Sequence, residues 1–234
     1  MFLADNLALV RQRIADAARR AGRRPEEITL MAVTKTFPPE IIREAYAAGQ
    51  RLFAENRVQE FAEKAPQLAE LQEAEFHLIG HLQSNKAAKA TQIFAGVDSV
   101  DSPHLAEKLN AAAEKAGKRL PILIEINVGG EAVKSGLAPD SPELETLLAA
   151  AARLAFLDFR GLMTIPPFTE DPVAARPYFR KLRELREQIA GRRLPAVNLD
   201  TLSMGMSHDF EIAIEEGSTC VRVGTAIFGA RPPK

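Results

Sequence analysis

Apolar residues along the chain follow two patterns, in which short β-prone runs alternate with longer stretches of helical spacing. The short runs predict eight strands, near residues 28–34, 51–55, 75–80, 96–100, 121–127, 158–164, 198–203 and 219–224. A helix is predicted ahead of the first strand, beginning at about Asp5 and ending at Gly22, with apolar positions at Leu3, Leu7, Val10, Ile14, Ala17 and Ala21.

Turn-forming residues separate these elements at regular intervals. A glycine stands between a helical stretch and the next strand at Gly49, Gly117, Gly191 and Gly217, as expected of glycines just past a helix end. Ser102-Pro103 and Ser141-Pro142 have the pattern of a capping serine followed by a proline in the first helical position.

This recurrence predicts parallel βα units. Eight such units in a chain of this length predict an α/β fold, a single (β/α)8 TIM-type barrel with an extra N-terminal helix, in one domain spanning residues 1–234. The alternative is a doubly wound open sheet.

The composition is that of an ordinary soluble globular protein, with 46% apolar and 26% charged residues and a net charge of −1. Basic pairs fall at predicted helix ends without interleaved aromatic residues, which disfavours nucleic-acid binding. One cysteine, Cys220, excludes an internal disulfide and fits a reducing, cytoplasmic environment. The N-terminal residues do not resemble a secretion signal, and the apolar stretch 147–156 contains Arg153 and is too short to cross a membrane.

Polar or small residues follow each predicted strand, whereas the interior of a barrel normally holds branched aliphatic side chains. Because the carboxyl ends of barrel strands meet at one rim, these residues should form a ring at the active face. In chain order the ring contains Lys35, Asn56, His81, Asp101, Asn127, Thr164, Ser203 and Gly224.

Lys35 stands out in this ring because it closes the apolar run 28–34 and is followed by Phe37-Pro38-Pro39. An exposed loop lysine is the ordinary interpretation of such a residue. Here its stem should be packed and its amine partly desolvated, and desolvation favours the neutral amine that attacks an aldehyde. The context therefore favours a Schiff-base lysine.

Two segments of small residues, 203–207 and Gly224-Thr225, follow the last two predicted strands. Either could be a plain turn, with Ser207 capping the next helix. Loops after strands 7 and 8 are also the recurrent phosphate site of this barrel class, since they turn backbone N–H groups toward an anion. An amine together with a phosphate site suggests pyridoxal phosphate.

Three further groups have open interpretations. Arg222 shares a strand face with Gly224, so it is either an inward cation near a pyridine nitrogen or a surface ion-pair partner. His77 and His81 lie too far apart on a strand to share a zinc ion, yet His81 could contact a cofactor or substrate. Asp98 and Asp101 look like paired carboxylates, although Asp101 could simply stabilise a turn.

The chain resembles the pyridoxal phosphate homeostasis protein (PLP-binding protein) family over almost its whole length. The resemblance rests on seven segments: Ala32-Val33-Thr34-Lys35, residues 54–60, residues 77–86, Lys134-Ser135-Gly136, Gly161-Leu162-Met163-Thr164, residues 202–207 and residues 222–229. Two positions depart from the family pattern, since Ala54 replaces a usual glycine and Phe76 a common tryptophan. Both departures concern strand packing rather than the lysine or the phosphate loops.

The resemblance implies a barrel like the N-terminal domain of alanine racemase, with pyridoxal 5'-phosphate held as a Schiff base on Lys35. It further implies that Asn56 approaches the side of the ring and Arg222 the pyridine nitrogen. The phosphate is expected at Ser203, Met204, Gly205, Gly224 and Thr225. Such proteins buffer or deliver the cofactor without a robust catalytic activity.

A racemase needs an acid–base group on each face of the cofactor, and alanine racemases take a tyrosine from a second domain. The tyrosines here, Tyr46 and Tyr178, fall within predicted helices on the outside of the barrel. We therefore expect a monomeric carrier of pyridoxal phosphate, with transient contacts to apo-enzymes. The alternatives are a racemase-like enzyme that uses His81 or Lys134 as second base, and an aldolase-like barrel in which Lys35 attacks substrate directly.

Overall fold

The computed structural model of the chain describes residues 3–131 and 135–230. Eight parallel strands close into a barrel in chain order, and the ring is completed by pairing of the first strand with the last. The strands are β1 Thr29–Val33, β2 Leu52–Glu55, β3 Glu75–Leu78, β4 Gly96–Val100, β5 Leu120–Glu125, β6 Leu157–Met163, β7 Val197–Ser203 and β8 Cys220–Val223. The predicted TIM-type barrel is confirmed, and the open sheet is excluded.

Helices cover the outside of the barrel. They are α1 Leu3–Arg20, α2 Pro39–Ala47, α3 Val58–Lys64, α4 Ala87–Ile93, α5 Pro103–Lys115, α6 Pro142–Ala150, α7 Arg176–Gly191, α8 Phe210–Glu215 and α9 Thr225–Phe228. Short 3-10 segments lie at Pro25–Glu27, Ala65–Leu68, Ser84–Lys86, Ala151–Arg153 and Pro172–Ala175. No helix of the described residues is both long and apolar enough to cross a membrane.

The residues predicted to begin and end the helices are largely confirmed. The hydroxyls of Ser102 and Ser141 each accept a hydrogen bond, at 3.2 Å, from the backbone N–H of the residue three positions later. A proline follows each serine in the first helical position. Gly191 is the exception, because it remains the last residue of α7 and the left-handed turn is made later by Arg193, with φ 51°. The helix continued by one residue because a glycine permits a left-handed turn without enforcing one.

The main apolar core lies between the sheet and the surrounding helices, and it takes alternate residues of strands such as β3, β5 and β8. In β5, for example, Leu120, Ile122 and Ile124 belong to this outer core, so Leu123 and Glu125 face the barrel interior. The two departures from the family pattern pack well. Ala54 is fully buried in the interior cluster, and the Phe76 ring lies 4.6 Å from that of Phe61 between centroids.

The barrel interior is unusually polar. A small apolar cluster contains Met31, Val33, Ala54, Ile79 and Cys220. Around it lie the buried side chains of Asp98, Glu125 and Arg222. Burying polar groups costs folding free energy unless they are paired, so the stability of this interior depends on what these side chains contact.

Helix α1 packs across the outside of the barrel next to the end of the chain. The Asn6 side-chain amide donates to the Ile227 carbonyl at 2.9 Å, and Arg13 forms an ion pair with Glu211 at 2.9 Å. The extra N-terminal helix therefore supports α8 and α9, the two helices that follow β7 and β8.

Candidate functional site

Lys35 lies at the carboxyl rim of the barrel, two residues beyond the end of β1, and its side chain is partly buried. The backbone of the turn is held from both sides: Thr34 N–H donates to the Ala54 carbonyl at 2.9 Å, and Thr36 N–H donates to Glu60 Oε1 at 2.6 Å. Thr36 has φ 70°, in the left-handed region that β-branched residues rarely adopt. The lysine thus sits on a turn whose backbone is fixed by its neighbours.

The loops after β7 and β8 lie side by side at the same rim. Ser207 Oγ accepts hydrogen bonds from Gly224 N–H at 3.2 Å and from Ala226 N–H at 3.3 Å. Gly205 has φ 95°, and a Cβ there would lie 2.6 Å from Ala213 Cβ, so only glycine lets α8 pack this closely. These contacts bring together the two small-residue segments that the sequence singled out.

The backbone donors of these loops divide into two groups. Met204 N–H donates to the Cys220 carbonyl and Met206 N–H to Asp209 Oδ1. Within residues 3–131 and 135–230, no hydrogen bond occupies the N–H groups of Gly205, Ser207 and Thr225. Three backbone donors in two adjoining loops form an arrangement suited to an anion.

Lys35 is adjacent to these loops because β1 pairs with β8. Ala32 is opposite Val223, and a Cβ on Gly224 would lie 3.4 Å from the Val33 carbonyl oxygen. The Phe37 and Phe228 rings also pack against each other, with centroids 5.1 Å apart. An amine and a set of anion donors therefore share one side of the rim.

Arg222 points into the barrel and is almost fully buried, so the surface ion-pair alternative is excluded. Its Nη1 donates to Ser203 Oγ and its Nη2 to the Thr164 carbonyl, both at 2.7 Å. Burial lowers the pKa of the guanidinium, and nearby acidic groups oppose that effect. An arginine remains charged under such conditions, so Arg222 places a positive charge just below the rim.

Asn56 follows β2 and lies half-buried beside Gly80 at the end of β3. A Cβ on Gly80 would come within 2.2 Å of the Asn56 carbonyl oxygen and 2.6 Å of its Oδ1. The absence of a side chain at position 80 therefore allows the Asn56 loop to lie over the end of β3. Asn127, half-buried, and Thr164, fully buried, complete the predicted ring at the ends of β5 and β6.

Two His–Asp pairs connect β3 and β4, one at the rim and one inside the barrel. His81 Nδ1 lies 2.9 Å from Asp101 Oδ2, and His77 Nδ1 lies 2.8 Å from Asp98 Oδ1. The sequence left open whether Asp98 and Asp101 are paired carboxylates, and in the structure each of them contacts an imidazole. His77 is opposite Gly96 in the β3–β4 register, so Asp98 lies two residues further along β4. Burial opposes protonation of His77, but the Asp98 carboxylate outweighs it and raises the pKa of that imidazole.

Glu125 at the end of β5 was not recognised from the sequence. It is 6% exposed, and its Oε2 has no hydrogen-bond partner among the described residues. Burial raises the pKa of Glu125 to about 7, with Asp101 adding to the shift and Arg222 and His81 opposing it. A carboxyl group that gains or loses a proton near neutral pH therefore lies close to the charged groups of the rim.

The remaining residues considered from the sequence are Ser207, Lys134 and the two tyrosines. Ser207, considered from the sequence as a helix cap or as part of the 203–207 phosphate segment, joins the two loops, and α8 begins three residues later at Phe210. Lys134, a candidate second base, lies outside the described residues. Tyr46 and Tyr178 lie in α2 and α7, as predicted.

A cavity of about 830 Å³ opens at the opposite, amino-terminal rim. Its lining includes Met31, His77, Asp98 and Cys220 from the barrel interior, and Arg119 and Arg160 from the rim. None of the ring residues lines it. The chemistry at the carboxyl rim is therefore separate from this cavity.

Comparison with known proteins agrees with this geometry. Residues 6–232 match the family described as alanine racemase, N-terminal domain. The chain is 46% identical over 231 residues to a pyridoxal phosphate homeostasis protein of Aquifex aeolicus, covering 99% of both chains. It is also 46% identical over 231 residues to the Escherichia coli K12 protein of that name, covering 98% of this chain and 97% of the relative.

Solved structures show the same relationship. PipY of Synechococcus elongatus, determined with PLP bound, is 37% identical with a TM-score of 0.85, covering 97% of this chain and all (100%) of PipY. An alanine racemase of Clostridium difficile shares the fold at 16% identity and a TM-score of 0.70, covering 98% of this chain but 58% of the racemase. The region shared with the racemase is thus a part of that longer enzyme.

Proposed function

This chain belongs to the alanine racemase N-terminal domain family, and from that premise we propose that it holds pyridoxal 5'-phosphate as a Schiff base on Lys35. Its role would be intracellular homeostasis of that cofactor, by buffering or delivery. The single observation that carries the proposal is the adjacency of the Lys35 turn to the β7 and β8 loops at one rim. The PLP-bound state of PipY, a relative at 37% identity, supports it.

The residues at the rim fit this cofactor. When bound, it supplies an aldehyde that condenses with a primary amine and a phosphate that needs several hydrogen-bond donors. Lys35 provides the amine, and Gly205, Ser207 and Thr225 provide N–H groups that are not used within the described chain. The hydroxyl of Ser207 already accepts two hydrogen bonds, so its own hydrogen can be donated to a phosphate oxygen.

The other residues expected at the phosphate hold these donor groups in place. The Ser203 hydroxyl accepts from Arg222, and Met204 is hydrogen-bonded across to β8, so both fix the start of the β7 loop. Gly224 completes the connection to that loop through Ser207. We assign Gly205, Ser207 and Thr225 to the phosphate, with Ser203, Met204 and Gly224 positioning them.

Arg222 is assigned to the pyridine nitrogen of the cofactor. Two of its five N–H donors are used by Ser203 and Thr164, which orients the planar group and leaves other donors for the ring. A cation at that nitrogen keeps it unprotonated and weakens the ring as an electron sink. Arg222 would therefore suppress carbanion chemistry. Asn56 is assigned to the side of the ring, and His81 to its edge.

We favour a carrier over an enzyme because the tyrosines lie in the outer helices α2 and α7 and not in the ring of residues at the strand ends. A second acid–base group would have to come from His81, which is bound to Asp101, or from Lys134. We further propose that the protein works in the cytoplasm as a monomer that transiently contacts PLP-dependent apo-enzymes. The whole described barrel would act as one cofactor-binding domain.

The test is borohydride reduction of protein incubated with pyridoxal phosphate, followed by peptide mapping. We expect the pyridoxyl mass on Lys35 and its loss in Lys35→Ala, with Lys118→Ala as a control at the other rim. Mass on a different lysine, or no trapping, would contradict the proposal. Exchange of the α-hydrogen of L-amino acids for deuterium at enzymatic rates would instead establish the racemase-like alternative.

A further inference from the structure

Three charged side chains, two of them buried and one partly exposed, form a cluster between β2 and α3, outside the barrel and directly behind the Lys35 turn. Lys64 Nζ donates to Glu55 Oε1 at 3.0 Å and to Glu60 Oε1 at 2.7 Å. The Glu55 side chain is fully buried, and that of Lys64 is 10% exposed. We call Glu55, Glu60 and Lys64 the acid–lysine clamp.

Every member of the clamp contacts the backbone or side chain of a residue next to Lys35. Lys64 Nζ donates to the Thr34 carbonyl at 3.2 Å, and Glu55 Oε1 accepts from the Thr34 hydroxyl at 2.8 Å. Glu60 Oε1 accepts from Thr36 N–H at 2.6 Å. The residues on both sides of Lys35 are therefore held by the same three charges.

Stability alone does not account for this arrangement. Burying ion pairs costs desolvation free energy, and well-packed apolar residues of similar volume are commonly as stable or more so. Burial raises the pKa of Glu55, an effect that Lys64 opposes. Burial also acts to raise the pKa of Glu60, but hydrogen bonds from Lys64 and from Thr36 N–H outweigh it and lower that pKa.

The backbone conformation of the Lys35 turn depends on contacts of this kind. Thr36 adopts φ 70°, which is unfavourable for a β-branched residue and persists only where surrounding contacts impose it. A charged acceptor on the Thr36 N–H is stronger than a neutral one. Loss of the clamp would let this residue return to ordinary backbone angles and would turn the preceding lysine away from the β7 and β8 loops.

We propose that Glu55, Glu60 and Lys64 are positioning residues that fix the direction of Lys35 toward the anion-binding loops. This inference rests on the proposed function, because the direction of the amine matters only if Lys35 reacts with a ligand held by those loops. Fixing a reacting group in one orientation raises its rate of reaction and the lifetime of the bound state.

The test compares Glu60→Ala and Lys64→Met with two matched controls. Glu187→Ala removes an acid from another i,i+4 pair, that with Arg183, and Lys118→Met removes a half-buried lysine that donates to the Phe94 carbonyl. Glu60 is the safer position, because its side chain is 26% exposed and replacement should preserve folding. Thermal unfolding of each variant establishes that it is folded.

Two measurements distinguish positioning from a merely structural role. Hydrogen exchange at the Thr36 amide should accelerate about tenfold or more in Glu60→Ala and Lys64→Met, because its charged acceptor is lost or released. The rate of borohydride-trapped pyridoxyl incorporation at Lys35 should fall about tenfold, and the induced circular dichroism per bound cofactor should decrease. Glu60→Gln, which keeps an oxygen acceptor, should restore part of each signal, and both controls should match the parent protein.

The outcomes separate the two proposals. Parent protein that traps the cofactor on Lys35, with clamp variants that trap it at the same rate and with the same dichroism, would overturn the positioning role alone. Unchanged exchange at Thr36 would overturn it too. Failure of the parent protein to trap the cofactor on Lys35 would overturn both proposals.

Discussion

The hydroxyl of Ser207 accepts a hydrogen bond from Gly224 N–H at 3.2 Å, so one side chain fastens the loop after β7 to the loop after β8. The same oxygen accepts from Ala226 N–H. Because each loop is short and ends against a helix, this contact sets the spacing between the donors of the two loops.

We expect Ser207→Ala to weaken retention of pyridoxal phosphate about tenfold, the effect of losing roughly one hydrogen bond to a charged group. Equilibrium dialysis of the loaded protein measures the change. Ser141→Ala is the matched control, because its hydroxyl also accepts a backbone hydrogen bond at 3.2 Å but caps α6 on the outside of the barrel. Equal affinities for the two variants would contradict the assignment of Ser207.

Replacement of Arg222 by methionine should lower the free energy of unfolding by about 2–4 kcal/mol, since the buried Thr164 carbonyl and Ser203 hydroxyl each lose a donor. Urea unfolding of the cofactor-free protein provides the measurement. Arg160→Met serves as control, because that side chain is 56% exposed and pairs with Asp158 at the surface. A loss below about 1 kcal/mol for Arg222→Met would show that the buried contacts are easily replaced.

The carboxyl group of Glu125 should make stability depend on pH. Its pKa is about 7 in the folded protein against an ordinary value of 4.5, so between these pH values the folded chain keeps a proton that the unfolded chain has lost. The free energy of unfolding should therefore fall as pH rises from 4.5 to 7, by up to about 3 kcal/mol, and then level off.

Glu125→Gln should remove this decline, because glutamine does not titrate. Urea unfolding at several pH values between 5 and 8 checks it, with the exposed Glu143→Gln as control. Profiles that remain parallel for Glu125→Gln and the parent protein would mean that the decline has another origin.

A methyl group at Gly205 should be poorly tolerated. Gly205 has φ 95°, and a Cβ would lie 2.6 Å from Ala213 Cβ and 2.9 Å from Phe210 Cα. We expect Gly205→Ala to destabilise the protein by about 2–4 kcal/mol and to reduce cofactor retention. Gly22→Ala has a similar φ of 68° with open space around it, so its cost should be about 1 kcal/mol and retention should not change. Thermal unfolding of both variants measures the loss of stability, and dialysis measures cofactor retention. A larger loss for Gly205→Ala than for Gly22→Ala assigns the difference to steric conflict, because both positions carry the backbone strain of a positive φ.

Much of the fold followed from the sequence because parallel βα units repeat the same local signals. All eight predicted strands overlap observed ones, and the ring at the carboxyl rim follows directly from where those strands end. The shared strand face of Arg222 and Gly224 left the direction of Arg222 open, and only the structure shows that it points inward. Local periodicity and turn residues were sufficient for the strands and the ring.

The other features of the site depend on contacts between separate elements, which local sequence patterns do not encode. Lys64 and Glu60 lie on an amphipathic helix and look like an ordinary exposed i,i+4 pair until β2 places Glu55 behind the same turn. The His–Asp pairs depend on the register of β3 and β4, in which His77 is opposite Gly96. Glu125 was not singled out in the sequence, because its raised pKa arises mainly from burial, with a further contribution from Asp101, and neither effect is visible in a local pattern.

The closure of the barrel links the beginning of the chain to its end: β1 pairs with β8, and the Asn6 amide donates to the Ile227 carbonyl. β1 also pairs with β2, so during synthesis on the ribosome only its β8 side stays unpaired until β8 has emerged. A nascent chain has the lysine early but gains the loops after β7 and β8 much later. The proposed cofactor site is therefore complete only once residue 225 has been synthesised.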